Sequence, residues 1–188
     1  MRIIAGTARG TTLETPAGDN TRPTLGRVKE NFFNAINFDV IGARVLDLFA
    51  GSGQLGLEAL SRGAREAVFV DADAECIKII KRNAQKTKLY EKCDILKCDY
   101  SQYFSELEKR GNFEKFDIIF IDPPYEQEKR LIKDSVDKLL KNGFVSDGGL
   151  LICETGGGGN FDLNENSTSK VYKYGKIYIT IIEVKNGR

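Results

Sequence analysis

The residues with the clearest chemical potential are Asp122-Pro123-Pro124-Tyr125, which directly follow the apolar run 118–121. That run is short and rich in β-branched and aromatic residues, so it predicts a buried strand, and the two prolines prevent the strand from continuing. A carboxylate, a proline carbonyl and an aromatic ring thus follow the carboxyl end of a strand, where open α/β sheets bind ligands. The Asp122 carboxylate and the Pro123 carbonyl can accept both hydrogens of an exocyclic amine while the Tyr125 ring stacks on its base. This pattern predicts the methylation of a nucleobase amine.

A second group of candidates lies in a glycine-rich segment. Gly51-Ser52-Gly53-Gln54-Leu55-Gly56 has the spacing G-x-G-x-x-G between a predicted strand and a predicted helix, so Gly51 and Gly53 would let a ligand approach the backbone. Asp71 ends the next predicted strand, where a carboxylate typically accepts hydrogen bonds from ribose hydroxyls. These features leave a nicotinamide dinucleotide and S-adenosylmethionine (AdoMet) both open. Asp47, just before the loop, favours AdoMet, because a carboxylate suits its cationic end better than a pyrophosphate.

Asp99 is a further candidate for the cofactor site. It follows the third predicted strand in Cys98-Asp99-Tyr100 and could accept a hydrogen bond from an adenine amino group. The alternative is purely structural, because an aspartate before a helix near Ser101 also forms an N-cap or an Asx turn.

The composition excludes several kinds of chemistry. The chain of 188 residues has no histidine, which rules out a histidine general base, a Ser-His-Asp triad and histidine metal ligands. Its four cysteines are scattered without a Cys-x-x-Cys pair, so we predict reduced side chains and no metal site. No apolar run approaches the ~18 residues of a membrane span, and the N-terminus lacks a signal-peptide stretch. We therefore expect a cytoplasmic protein without a membrane partner.

The N-terminal segment is the most basic part of the chain. Residues 1–29 contain five basic and two acidic residues, although the net charge of the whole chain is only +1. A basic arm on a near-neutral body is compatible with nucleic-acid contact. Residues 1–15 predict a short hairpin or extended arm with turns at Gly6 and Gly10. The polar residues around Arg27 and Lys29 are either exposed charges at the start of a helix or part of a lid or RNA contact.

From residue 44 onward, predicted strands alternate with predicted helices. Five such strands imply a parallel sheet covered by helices on both faces. After the glycine-rich stretch Gly156–Asn160, residues 169–174 and 177–184 flank a turn and predict a terminal antiparallel hairpin. The fold class is therefore α/β, a Rossmann-like methyltransferase with a mostly parallel sheet, a C-terminal antiparallel hairpin and a small N-terminal extension of a β-hairpin and a helix. The glycine-rich stretch is interpreted as a surface loop.

Three motifs together resemble the bacterial 16S ribosomal RNA guanine-N2 methyltransferase family. The motifs are Arg22-Pro23-Thr24 with Arg27-Val28-Lys29-Glu30, Asp47-Leu48-Phe49-Ala50-Gly51-Ser52-Gly53 with its continuation Gly56-Leu57-Glu58-Ala59-Leu60-Ser61-Arg62-Gly63-Ala64, and Asp122-Pro123-Pro124-Tyr125. The similarity covers nearly the whole chain. Two departures are Asp71, where relatives commonly carry glutamate, and the Gly156–Asn160 loop, which is not typical of the family.

The resemblance implies an AdoMet-dependent enzyme that methylates the N2 amine of a guanine in 16S rRNA, either free or in the small ribosomal subunit. It also implies that the N-terminal arm helps to hold RNA. We predict an RNA-contacting arm and helix at residues 1–40, a methyltransferase domain at residues 41–188 and a monomer. The residues expected to bind RNA are Arg2, Arg9, Arg22 and Arg27. Two alternatives stay open from the residues alone: an adenine-N6 methyltransferase, which would use the same amine pocket, and a dinucleotide-binding oxidoreductase.

Overall fold

The computed structural model describes residues 1–16, 23–124, 128–157 and 167–185, and it describes only the backbone of residues 23–25 and 128. The helices are α1 (Pro23–Ala35), α2 (Asn37–Val40), α3 (Gln54–Ser61), α4 (Ala74–Lys86), α5 (Tyr100–Arg110) and α6 (Glu128–Lys141), with a short 3-10 helix at Tyr90–Lys92. The strands are β1 (Arg44–Asp47), β2 (Glu66–Asp71), β3 (Cys93–Lys97), β4 (Phe116–Ile121), β5 (Val145–Thr155), β6 (Ser167–Tyr174) and β7 (Ile177–Val184).

The seven strands form one sheet in the order β3-β2-β1-β4-β5-β7-β6. Strands β1 to β5 are parallel to their neighbours, whereas β7 runs antiparallel to both β5 and β6. The prediction of a mostly parallel Rossmann-like sheet with a terminal antiparallel hairpin is confirmed. The second strand of the hairpin, β7, is the one that pairs with β5, and β6 forms the edge beyond it.

Helices cover both faces of the sheet. On the first face, apolar residues of α1, α3 and α4 form one cluster with alternate residues of the strands, Phe120 and Ile152 among them. On the second face, α5 and α6 form another cluster with the intervening strand residues, such as Ile121 and Cys153. This alternation is the period of two that strands impose on their side chains. It lets us assign each side chain at a strand end to one of the two faces.

The N-terminal segment forms a small hairpin against the first face. Arg2 pairs with Thr12 in an isolated antiparallel bridge, and both predicted turn glycines, Gly6 and Gly10, have positive φ angles of 81° and 85°. At Gly6 a Cβ atom would lie 1.8 Å from the Ser61 carbonyl oxygen, so only glycine fits there. Apolar side chains of the hairpin share the first-face cluster with the sheet. The predicted division of the chain at residue 40 stays a prediction.

None of the helices in the described parts of the chain combines the length and apolarity needed to cross a bilayer. None of the four cysteines, all of which lie within the described ranges, forms a disulfide.

Candidate active site

The predicted acidic residues gather at one edge of the sheet. Asp47 ends β1, Asp71 ends β2, and β1 pairs in parallel with both β2 and β4. Asp99 follows β3, and Asp122 follows β4. The carboxyl ends of parallel strands meet at the same edge, so all four residues lie at the same edge of the sheet, the edge at which open α/β sheets have their ligand-binding crevice.

The glycine loop connects β1 to α3 at this edge. Gly51 and Gly53 have φ angles of 53° and 76°, a region that favours glycine, and Gly53 directly precedes the first residue of α3. A Cβ atom at Gly53 would lie 3.2 Å from the Ile80 side chain, whereas one at Gly51 would meet nothing within 4 Å. Gly53 is therefore required for the turn and for packing. Gly51 borders open space where a ligand can approach.

Asp71 is held in place by backbone donors. Its Oδ2 accepts a hydrogen bond from the Gly51 N–H at 2.8 Å, and its Oδ1 accepts one from the Asp73 N–H at 2.8 Å. Burial raises the pKa of the half-buried Asp71 carboxyl, and these two hydrogen bonds act in the opposite direction. Each carboxylate oxygen can accept more than one hydrogen bond, so both can still accept from ribose hydroxyls. The carboxylate thus ties the glycine loop to the end of β2.

Asp47 lies behind the glycine loop rather than in the crevice. Its side chain is 2% exposed, and its Oδ2 accepts a hydrogen bond from the Gly56 N–H in the first turn of α3 at 2.9 Å. Burial raises the pKa of Asp47 to about 7, although the hydrogen bond from Gly56 lowers it. The residue positions α3 beneath the loop. Its predicted attraction for the cationic end of AdoMet stays a prediction and would act through the loop.

Asp99 is the N-cap of α5, which is the structural alternative that its sequence context left open. Its Oδ1 accepts hydrogen bonds from the Ser101 N–H at 2.8 Å and from the Ser101 hydroxyl at 2.6 Å. The residue is exposed at the carboxyl edge. Capping fixes the carboxylate at the end of β3 without burying it, so the contact with adenine stays a prediction alongside the cap.

Asp122 and Pro123, which are predicted to bind an amine, follow the end of β4, next to β1. Ile121 is the last residue of β4, Asp122 is half-buried and Pro123 is buried. Strand β4 lies beside β1, so Asp122 and the glycine loop follow neighbouring strands. Tyr125 lies outside the described residues, and its stacking role stays a prediction.

The described substrate-binding candidates do not all face the crevice. Arg2, Arg9 and Arg27 are exposed, whereas Arg22 lies outside the described residues. The turn that carries Arg9 binds the last residue of α3, because the Thr7 N–H donates to the Ser61 carbonyl at 2.8 Å. Helix α3 begins at the carboxyl edge and runs toward the opposite edge, so Arg9 lies at the end of α3 that is distant from the acidic residues.

Two buried groups were missed by sequence reasoning. Asn83 donates from Nδ2 to the Ser52 and Glu14 carbonyls, both at 2.9 Å, and its Oδ1 accepts the Glu14 N–H at 2.8 Å. It therefore joins the glycine loop to the N-terminal segment. The available signal was a polar residue on the apolar face of α4, beside Ile80 and Ala84.

Glu58 is the second missed residue, and it is fully buried. It accepts hydrogen bonds from the Ile4 and Ala5 N–H groups at 2.8 and 3.0 Å, and it forms ion pairs with Lys29 at 3.0 Å and Arg62 at 2.9 Å. Lys29, considered above as an exposed charge or an RNA contact, is instead buried. A glutamate within the apolar helix α3 was the signal for this group.

Fold and site together define a Rossmann-like class I methyltransferase. No three histidine, cysteine, aspartate or glutamate side chains are grouped as metal ligands in the part of the chain that the structure describes. The solved structure of the "Putative methyltransferase yhhF" from Escherichia coli matches this fold with a TM-score of 0.84 and 26% sequence identity. The match covers 100% of this chain and 99% of that one.

Sequence comparison then identifies the family. Residues 1–183 match the family described as Conserved hypothetical protein 95. The "Putative rRNA methyltransferase YlbH" of Bacillus subtilis is 40% identical over 149 residues, which cover 77% of this chain and 80% of that protein. Ribosomal RNA small subunit methyltransferase D of Escherichia coli is 34% identical over 155 residues, which cover 82% of this chain and 74% of that protein. The chain belongs to this family of rRNA methyltransferases, which confirms the resemblance drawn from its motifs.

Proposed function

We propose that this protein transfers a methyl group from AdoMet to the exocyclic N2 amine of a guanine in 16S ribosomal RNA. The observation that carries the proposal is the position of Asp122 and Pro123 at the end of β4, beside the glycine loop that follows β1. Membership of the rRNA methyltransferase family supports RNA as the substrate. Because ribosomal RNA is a cytoplasmic substrate, we expect the enzyme to act in the cytoplasm.

The residues around the glycine loop fit AdoMet. Open space at Gly51 allows close approach to the backbone, and the Asp71 carboxylate at the end of β2 is oriented by two N–H donors. We assign Gly51, Gly53 and Asp71 to this cofactor, with Asp99 near its adenine. When bound, AdoMet supplies a methyl group on a positively charged sulfonium, a leaving group that needs no acid catalyst. This agrees with a chain that has no histidine.

Asp122 and Pro123 would prepare the nucleophile. An exocyclic amine is a poor nucleophile because its lone pair is delocalised into the ring. When the Asp122 carboxylate and the Pro123 carbonyl accept the two amine hydrogens, the lone pair is directed away from them, and the carboxylate can take up the proton that the amine loses. Orientation and electrostatic stabilisation then supply most of the rate enhancement.

The base must leave its helix to reach this pocket. An N2 amine in a stacked duplex is inaccessible, so the guanine must be unpaired or flipped out. Stacking on Tyr125 would contribute about 1–3 kcal/mol. Arg2, Arg9, Arg22 and Arg27 would contact phosphates, which makes RNA binding weaken as salt rises.

Mapping of the methylated nucleoside tests the reaction. Undermethylated small subunits and free 16S rRNA are incubated with protein and AdoMet, and mass spectrometry identifies the product. We expect N2-methylguanosine. N6-methyladenosine would instead support the adenine-N6 methyltransferase, and the absence of any methylated product would contradict the proposal. Asp122→Ala should abolish most transfer while AdoMet affinity is retained, and Asp94→Ala, an exposed aspartate within β3, is the matched control.

The salt dependence of RNA binding tests the basic arm. Arg9→Gln and Arg22→Gln should each reduce the slope of log affinity against log salt, because each removes about one phosphate contact. Lys109→Gln at the exposed end of α5 is the control. If all three variants show the wild-type slope, the arm does not hold the RNA.

A further inference from the structure

Glu154 lies beside Asp122 on the neighbouring strand. The last register pair between β4 and β5 joins Ile121 to Cys153, so Asp122 and Glu154 each follow one position later. Neighbouring strands are about 4.8 Å apart. The two carboxylates therefore occupy adjacent positions at the carboxyl edge of the sheet.

Both side chains belong to the same face. Along β5, Ile152 packs in the first-face cluster and Cys153 in the second-face cluster, which places Glu154 on the first face. Along β4, Phe120 packs in the first-face cluster and Ile121 in the second-face cluster, so the period of two places Asp122, the next residue, on the first face as well. Asp122 and Glu154 are both half-buried.

The other flank of Glu154 is apolar. Its partner on β7 is Ile179, which is 1% exposed and belongs to the first-face cluster. A base whose amine is held by Asp122 would therefore lie next to the Glu154 carboxylate on β5, with the apolar surface of β7 on the far side of Glu154.

Guanine and adenine differ next to their exocyclic amines. Guanine carries an N1–H donor beside its N2 amine, whereas adenine presents an unprotonated N1 acceptor beside its N6 amine. An ionised carboxylate only accepts hydrogen bonds. A second carboxylate next to the amine-binding one would thus bind guanine and repel adenine.

We propose that Glu154 accepts the N1–H of the target guanine and so determines the specificity for guanine over adenine. The inference rests on the proposed function, since it assumes that Asp122 holds the amine. It assigns a role to a residue outside the Asp-Pro-Pro-Tyr motif, which by itself cannot distinguish the two bases.

A modified substrate tests this role with the wild-type protein. Once the target guanine is mapped, 16S rRNA is assembled by ligation with either guanine or 2,6-diaminopurine at that position. The analogue keeps the amine at C2 but has an unprotonated N1. Loss of a hydrogen bond to a charged group corresponds to about a ten- to hundredfold effect, and we expect kcat/KM for the analogue to fall by this factor.

The matched variant is Glu154→Gln, because an amide can both accept from guanine N1–H and donate to an unprotonated N1. We expect Glu154→Gln to lower kcat/KM for guanine and to leave AdoMet affinity unchanged. The ratio of kcat/KM for guanine to kcat/KM for the analogue should then be close to one. Glu183→Gln is the control: Glu183 is half-buried on the same face, and its partner Leu150 lies within β5, away from the carboxyl end of that strand. It should retain the wild-type ratio.

The outcomes separate the two proposals. If the wild type methylates no guanine in rRNA, the proposed function fails. If it methylates guanine and the analogue equally well, the proposed function stands and the role of Glu154 is wrong. Equal rates on the two substrates contradict the role of Glu154 whether or not Glu154→Gln folds, because that comparison uses only wild-type protein. A folded Glu154→Gln variant that keeps the wild-type ratio also overturns the role of Glu154.

Discussion

Replacement of Glu58 by alanine should be among the most destabilising single substitutions in the chain. Glu58 is fully buried and accepts from the Ile4 N–H, the Ala5 N–H, the Lys29 ammonium and the Arg62 guanidinium. The same Lys29 Nζ also donates to the Arg2 carbonyl at 3.0 Å. One side chain thus connects α3 to α1 and to the N-terminal hairpin.

The magnitude follows from what Glu58→Ala leaves behind. Removal of one partner from a buried ion pair costs about 3–5 kcal/mol. Two backbone N–H groups also lose their acceptor, at about 1–3 kcal/mol each if they stay buried. Two effects reduce these costs. Burial lowers the pKa of Lys29 and so favours its neutral form, and the hairpin can detach so that water hydrates the two N–H groups. We therefore expect a net loss of about 4 kcal/mol in the free energy of unfolding.

Urea unfolding at neutral pH measures this loss. With a slope near 2 kcal/mol per molar urea, the midpoint should fall by about 2 M. The control is Glu75→Ala, which removes an exposed pair with Lys78 and should cost less than about 1 kcal/mol. Amide hydrogen exchange should also accelerate at Ile4 and Ala5 in the Glu58 variant alone. Equal losses in the two variants would refute the view that this buried group holds the hairpin.

Three further predictions address the loop and the cofactor. Burial raises the pKa of Asp47 from 3.8 to about 7, so the native state keeps a proton that the unfolded state releases, and stability falls as the pH rises from about 4 to about 7. Urea unfolding of Asp47→Asn should show a stability advantage over wild type that grows across this window by up to about 4 kcal/mol, and a constant difference would contradict the pKa. Gly56→Ala would place a Cβ atom 2.4 Å from the buried Phe69 ring, so it should lower the free energy of unfolding by about 1–3 kcal/mol and reduce the Tm. The control is Gly26→Ala in α1, where a Cβ atom meets nothing within 4 Å and the Tm should rise. Asp71→Ala should weaken AdoMet binding about ten- to hundredfold in calorimetric titration, and an unchanged Kd in a folded variant would remove Asp71 from the site.

Local patterns predicted the elements that carry the site. The apolar run 118–121 marked the end of β4, and the structure extends this strand back to Phe116. The loop glycines fall at positive φ angles between β1 and α3 as their spacing indicated. These features were accessible because side-chain period and turn chemistry depend on residues close together in the chain.

The bounds of β5 were less accessible. The apolar residues predicted a strand at Leu150–Cys153, whereas the structure extends it over Val145–Thr155. The added residues are paired on one side only, Val145 with β4 and Glu154 and Thr155 with β7, and the polar residues near the strand ends gave no sign of this pairing.

By itself the sequence determined the fold class, the family and the strand ends at which Asp71 and Asp122 stand. Only the tertiary structure decided which polar groups are buried together: Glu58 with Lys29, and Asn83 beneath the glycine loop. It also decided that β5 lies beside β4, which brings Glu154 next to Asp122. The reason is physical, because residues 29 and 58, or 122 and 154, meet only when packing and strand pairing bring distant segments together, and no local periodicity encodes such partners.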